Sequence, residues 1–358
     1  MNSCRIELQD CTFDEAEIDE AAAAGRLLTM EVEVTTACNF RCPYCYVPGG
    51  IPRRTMPDAL FEDILAQARG LGARRIVLLG GEPMLHPRIA DMVSAIHAEG
   101  MIPELFTNGI RLTEELLRRF YDCNAFLILK YNAMTPEGQN RMGGVPDADE
   151  TIREAFLALT HVYREKKAAG LPPPAFGLST VICKANYGDI EEIWRLARRH
   201  GFLPCVERMN PVSHAASNET WLNVTPAETR AMFERLAKID REEFSLTWPV
   251  QPPLVGRRCL RNRYSCTVAP DGSVKPCVGI PLVVGNVTEK PLARILRESE
   301  VIRDLRRYRE TMHGPCRACP RFSGCYGCRG TAYQLTGDYL ASDPLCWHNQ
   351  VEGENDPE

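Results

Sequence analysis

The sequence predicts an α/β fold, a parallel sheet of six strands covered by helices and followed by a smaller cysteine-rich domain. Two observations carry this. From about residue 28 to 208 short apolar strand-like runs alternate six times with helical stretches, the pattern of repeated βα units. Of sixteen cysteines, three fall at 38–45 and eight at 259–346, with Cys4, Cys11, Cys123, Cys183 and Cys205 scattered singly.

The strands are read at 30–35, 75–79, 102–106, 125–131, 175–182 and 203–207, each a short apolar run bounded by turn residues. Between them the helices fall at 58–69, 87–99, 113–121, 150–167 and 189–200. The last carries Ile190, Ile193, Trp194 and Ala197, the spacing of one helical face. Pro172, Pro173 and Pro174 mark a loop before the fifth strand. Beyond the sixth strand, Thr225-Pro226 starts a helix with Met232, Phe233, Leu236 and Ile239, and Trp248-Pro249 and Pro252-Pro253 break the pattern. A hairpin is expected at Asp271-Gly272. The expected divisions are an N-terminal extension (1–27), the βα domain (28–240), a linker (241–255), a cysteine-rich domain (256–348) and a tail (349–358).

Composition narrows the function classes. The chain has 358 residues, 44% apolar and 25% charged, the profile of a soluble globular protein. A net charge of −5 gives no electrostatic reason for a nucleic-acid or anionic-membrane partner. No apolar run reaches membrane-spanning length, and the acidic N-terminus lacks the basic start and apolar core of a secretory signal. A reducing cytoplasm is therefore expected, where thiols ligate metals rather than pair as disulfides.

Cys38, Cys42 and Cys45 follow directly on the first strand, in a loop at its C-terminal end, where βα barrels carry their chemistry. Three thiolates this close can hold one iron–sulfur cluster. A four-iron cluster with three protein ligands keeps one iron open, as a catalytic metal requires. The alternative is zinc, but that wants a fourth local ligand, and His86 and His97 are poorly placed to supply it.

The spacing CxxxCxxC after a first strand, with Tyr44 before the last cysteine, resembles the radical S-adenosylmethionine (SAM) family. Gly80-Gly81-Glu82-Pro83, after the second strand, is similar to that family's GGE motif. The resemblance implies a partial (β/α)6 TIM-type barrel and a catalytic [4Fe–4S] cluster whose open iron binds SAM. It also implies reductive cleavage of SAM to a 5′-deoxyadenosyl radical that takes a hydrogen atom from substrate. Gly80, Gly81 and Glu82 suit the cofactor's ammonium group, since glycines admit close backbone approach. Lys130 and Asn132 at the end of the fourth strand, Ser179 on the fifth, and Arg141 are implied partners of its carboxylate and ribose.

The later cysteines resemble the SPASM extension of the same family, with two auxiliary clusters. Position by position, the resemblance implies Cys259, Cys266, Cys277 and Cys328 for one [4Fe–4S] cluster and Cys316, Cys319, Cys325 and Cys346 for the other. Cys325 and Cys328 have two residues between them where the family usually has three. A zinc ribbon is the competing reading of this run. Full ligation of both clusters favours electron transfer over direct substrate binding.

For the substrate, the expected reading is dehydrogenation or epimerisation of a small polar natural-product intermediate such as a sugar or aminocyclitol. The alternative is maturation of a ribosomally made peptide or protein by crosslinking or side-chain oxidation. The short stretch before the first strand is too small for the peptide-recognition domain that many peptide-modifying members carry. Val278 stands where sulfatase-maturing members have an acidic base, which argues against formylglycine formation. Cys205, or Cys183, is a candidate hydrogen-atom donor to a substrate radical; a small buried hydrophobe is the plainer reading of both. Glu207 and Arg208 either bind a polar substrate or form a surface pair. A flavodoxin or ferredoxin is the expected electron donor. A third reading, a non-catalytic iron–sulfur carrier, is opposed by the GGE motif and the three-cysteine site.

Overall fold

The structure, a computed structural model, describes residues 13–349, so Cys4 and Cys11 lie outside the described residues. Six parallel strands run in chain order: β1 (Thr29–Thr35), β2 (Arg75–Gly80), β3 (Ile102–Thr107), β4 (Phe126–Lys130), β5 (Phe176–Ile182) and β6 (Leu203–Arg208). Each lies within a residue or so of its expected place. After a helix at the N-terminal side, α1 (Glu15–Ala23), the helices of the βα units are α2 (Asp58–Gly70), α3 (Ile89–Ala98), α4 (Glu114–Asp122), α5 (Pro136–Gly143), α6 (Ala148–Ala168) and α7 (Ile190–Arg199). Helices α1 and α5 add to those expected.

Strand side chains alternate between a helix-facing core and the barrel interior. Met30, Val32, Ile76, Leu78, Leu105, Leu127 and Leu178 pack outward against Ile64, Val93, Leu117 and Leu159 of the helices. Inward stand Glu31 on β1 and, near the C-terminal ends of the other strands, Leu79, Phe106, Lys130, Val181 and Glu207, which line a cavity. Ile190, Ile193, Trp194 and Ala197 of α7 are all buried, as their spacing requires.

Two short helices, α8 (His214–Ser217) and α9 (Glu219–Leu222), precede α10 (Pro226–Glu243), which Thr225 caps with Glu228 in a capping box. Asp240 of α10 is fully buried and takes Arg198 in a two-pronged ion pair, with N–O distances of 3.0 and 2.6 Å. It also accepts from Trp194 Nε1 (2.6 Å) and Trp248 Nε1 (2.9 Å), joining α7, α10 and the connector.

The C-terminal domain continues the same sheet. Strand β7 (Thr267–Val268) lies parallel to β1, and β8 (Ser273–Lys275) and β9 (Gly285–Asn286) follow antiparallel, giving the order β6-β5-β4-β3-β2-β1-β7-β8-β9. The β7–β8 turn holds Asp271-Gly272, with Gly272 at φ +83°. Helices α11 (Leu292–Glu298), α12 (Glu300–Arg306), α13 (Tyr308–Thr311), α14 (Pro315–Ala318) and α15 (Arg329–Thr336) complete the domain. Helix α1 packs beneath it, with Glu15 and Asp19 paired to Arg309. No helix among the described residues is long and apolar enough to cross a membrane.

Candidate active site and cluster ligands

Cys38, Cys42 and Cys45 line one side of a cavity of about 270 Å³ at the C-terminal mouth of the barrel. Their loop has no regular secondary structure and is held by its neighbours' backbones. Gly81 N–H donates to Thr35 O (2.7 Å) and Glu82 N–H to Ala37 O (2.8 Å). On the other side Arg41 N–H donates to Gly143 O (2.9 Å). A Cβ at Gly81 would lie 2.2 Å from Ala37 O, and one at Gly144, where φ is +69°, 2.1 Å from Arg41 O. Both glycines are therefore needed for the cysteine loop to seat. The close approach read for a ligand at the GGE motif is made here by the chain itself, although Gly80 and Gly81 also line the cavity.

Glu82 is 2% exposed and points into the join between β2 and β3. It accepts from Thr107 Oγ1 (2.6 Å), Asn108 N–H (2.7 Å) and Met84 N–H (3.0 Å). Burial raises its pKa to about 7 against the pull of those donors. Asn132 Nδ2 donates to the Tyr44 hydroxyl (2.6 Å), and its Oδ1 accepts from Val181 N–H (3.0 Å), tying the cysteine loop to β5. Lys130 Nζ donates to Ser179 Oγ (3.0 Å) and lies over the Phe106 ring. Among the described residues no carboxylate lies within ion-pair distance of Lys130.

Other candidates stand apart from the cavity. Ser179 is buried behind Lys130 and does not line it. Arg141 is exposed, with its guanidinium 4.9 Å from the centre of the Trp221 ring. Cys205 is in register with Ser179 but fully buried, beside Phe126 and Gly177, and does not line the cavity. Cys183 is equally buried, with its sulfur 3.9 Å from that of Met209.

Sequence reading missed Glu31, which is 1% exposed at the cavity wall. It is paired with Arg261 and accepts from Thr267 Oγ1 (2.6 Å). Its neighbour on the same face, Glu33, pairs with Lys275 at 3.2 Å. The alternation Met30-Glu31-Val32-Glu33-Val34 is the signal that could have found both, since inward polar residues on a barrel strand face the mouth. Glu207 and Arg208 both line the cavity; Arg208 is bound to Asp343 at 3.1 Å and Glu207 to Arg257 at 3.5 Å.

The three thiols fit a cluster with one open position. They are the whole sulfur set at the cavity wall, and Phe40 N–H is already aimed at Cys38 Sγ (3.4 Å). Burial raises Cys38 to a pKa of about 12 and Cys42 to about 11. Thiols this protonated need a strongly charged iron centre to become ligands. In the C-terminal domain Cys316, Cys319, Cys325 and Cys346 are electrostatic neighbours. Asn349 Nδ2 donates to Cys316 Sγ (3.0 Å), and Gly327 N–H to Cys325 Sγ (3.3 Å), contacts that tune an iron–sulfur centre. Cys259, Cys277 and Cys328 line a second recess, with Cys266 not among its lining residues.

Residues 32–209 match the family model of the Radical SAM superfamily, and residues 259–320 that of the SPASM iron–sulfur cluster-binding domain. The PqqA peptide cyclase of Streptomyces rochei is 30% identical over 351 residues, covering 90% of each chain. The chain belongs to the radical SAM superfamily. As a radical SAM enzyme with a SPASM domain it uses a catalytic [4Fe–4S] cluster, auxiliary clusters and SAM. The AdoMet-dependent heme synthase of Methanosarcina barkeri is 25% identical over 352 residues, covering 90% of this chain and 96% of that one. In fold, this radical SAM chain is similar to Streptococcus suis SuiB bound to its precursor peptide SuiA. That likeness has a TM-score of 0.67 at 15% identity, over 93% of this chain and 78% of SuiB.

Proposed function

We propose that this enzyme modifies a side chain of a peptide or protein by radical chemistry. The observation that carries this is the two-part shape of the site. The cavity beside Cys38, Cys42 and Cys45 adjoins a larger groove of about 540 Å³, and the two share Tyr46, Gly80, Gly81 and Val278. The groove runs between the 47–54 loop and the β7–β8 hairpin, with exposed Ile51 and Val283 at its rim. A chamber beside the cysteines that continues into a groove has room for a side chain together with its flanking main chain, which suits a polymer. A free sugar or aminocyclitol has no use for the groove. Relatives named PqqA peptide cyclase support the same reading, and the SuiB fold accommodates a precursor peptide.

When bound, the catalytic cluster and SAM supply a 5′-deoxyadenosyl radical for hydrogen abstraction. In this reading Lys130 meets the carboxylate of SAM, and Ser179 holds the Lys130 ammonium in place. Asn132 and Tyr44 brace the cysteine loop against β5. Glu82 locks the ends of β2 and β3 together beneath the cofactor rather than offering a free carboxylate.

The test is isotope transfer. Reduced, iron-loaded enzyme is incubated with SAM and short peptides carrying deuterated side chains, in parallel with deuterated polyols and aminocyclitols. Deuterium is expected in 5′-deoxyadenosine with a peptide. Transfer from a polyol alone, with none from any peptide, would return the small-metabolite reading.

A further inference from the structure

The C-terminal cysteines do not divide evenly between two sites. Cys259, Cys277 and Cys328 face the recess beside the cavity. Cys266 immediately precedes β7, and β7 pairs with β1 in the register Glu31–Thr267 and Val32–Val268. Thr267 therefore shares the inner face with Glu31, and its hydroxyl donates to that carboxylate. Alternation puts Cys266 on the opposite face with Val268. The structure agrees: Cys266 is 0% exposed in the outer core that holds Met30, Val32, Val268 and Ile302. Both Cys266 and Cys277 lie near Glu31, but Cys277 also neighbours Cys259 and Cys328, whereas the other charged neighbour of Cys266 is Arg306. Cys266 is set back across the sheet from the sulfur set it was expected to complete.

The recess also holds polar atoms that nothing in the fold uses. Asn210 Oδ1 and Asn262 Oδ1 are buried without hydrogen-bond partners, and both residues line it. The recess and the main cavity share Glu207, Arg208, Asn210, Arg261, Val278 and Gly279, so the two spaces adjoin.

We infer that the auxiliary cluster nearer the active cavity has three cysteine ligands, Cys259, Cys277 and Cys328, and that its fourth iron takes an exchangeable, non-thiolate ligand. Cys266 is a core residue. The cluster held by Cys316, Cys319, Cys325 and Cys346 keeps four thiols. The inference holds whatever the substrate is, because it rests on the placement of thiols and not on the peptide reading. It replaces full ligation with a metal position at the edge of the chamber, open to a donor atom from a small molecule or substrate.

The test isolates the auxiliary clusters in the full chain carrying Cys38→Ala, Cys42→Ala and Cys45→Ala. This protein should hold about eight irons, the content of two four-iron clusters. Adding Cys266→Ala or Cys266→Ser should leave that content and the electron paramagnetic resonance signals of the reduced clusters unchanged, whereas adding Cys277→Ala should lower the content by about half. With Cys266 intact, carbon-13 cyanide should produce a hyperfine coupling on one reduced auxiliary cluster. Loss of iron in Cys266→Ser as large as in Cys277→Ala would overturn the inference. So would the absence of any cyanide coupling, a result that does not depend on how a Cys266 variant folds.

Discussion

Cys38 and Cys42 are weak acids in the folded, cluster-free chain, with pKa values raised by burial to about 12 and about 11. Cluster binding needs them as thiolates, so each must release a proton on loading. The sign follows: loading grows more favourable as pH rises, up to the raised pKa values. The gain approaches about 1.4 kcal/mol per pH unit for each thiol that ionises. Iron uptake under anaerobic reconstitution, titrated against a chelator from pH 6.5 to 8.5, should strengthen steeply; a flat profile would mean that the thiols are already ionised. Tyr44 shares the environment, and burial raises its pKa as well. Its hydroxyl thus remains protonated while it accepts from Asn132. The site motifs were legible at this scale because CxxxCxxC and Gly-Gly-Glu carry their geometry within a few consecutive residues. The partner of Glu31 was not, because Arg261 lies on a different domain and reaches it only through the pairing of β7 with β1.

Helices α7 and α10 meet at a buried charge. Removing the Asp240 carboxylate leaves the Arg198 guanidinium, 7% exposed, without its counter-charge, and strips both indole N–H groups of their acceptor. Breaking a buried pair from one side costs about 3–5 kcal/mol. Asp240→Ala should lower the urea midpoint accordingly, while a change below about 1 kcal/mol would mean that water replaces the carboxylate. The strands were readable because apolar runs flanked by turn residues name them directly. Helix α5 was not read, because Gly138 and Gly143 weaken its helical signature. The structure explains their presence: a Cβ at Gly138 would lie 2.7 Å from Ala133 Cβ, and one at Gly143 2.4 Å from Ala148 Cβ. The facing of Cys266 was equally hidden, since it depends on a strand register between residues far apart in sequence.

On the scale of the whole molecule, the inference drawn above assigns ten of the sixteen cysteines to three clusters, three at the barrel mouth and seven beyond β6, and leaves Cys266 in the core. Iron and sulfide analysis of the loaded enzyme should give about twelve irons per chain, with about eight remaining when Cys38, Cys42 and Cys45 are replaced. About four in the native chain, with zinc present, would contradict the auxiliary clusters. The barrel and the later domain were legible as separate patterns. Their fusion through β1 and β7 was not, because β7 is only two residues long and carries no periodic signal.

That shared sheet limits how substrate can enter. Swinging the C-terminal domain away would break the β1–β7 pairing and the contacts of Glu31 with Arg261 and Thr267, and Glu31 and Arg261 also line the chamber. On the peptide reading proposed above, substrate would then enter along the groove between the 47–54 loop and the β7–β8 hairpin.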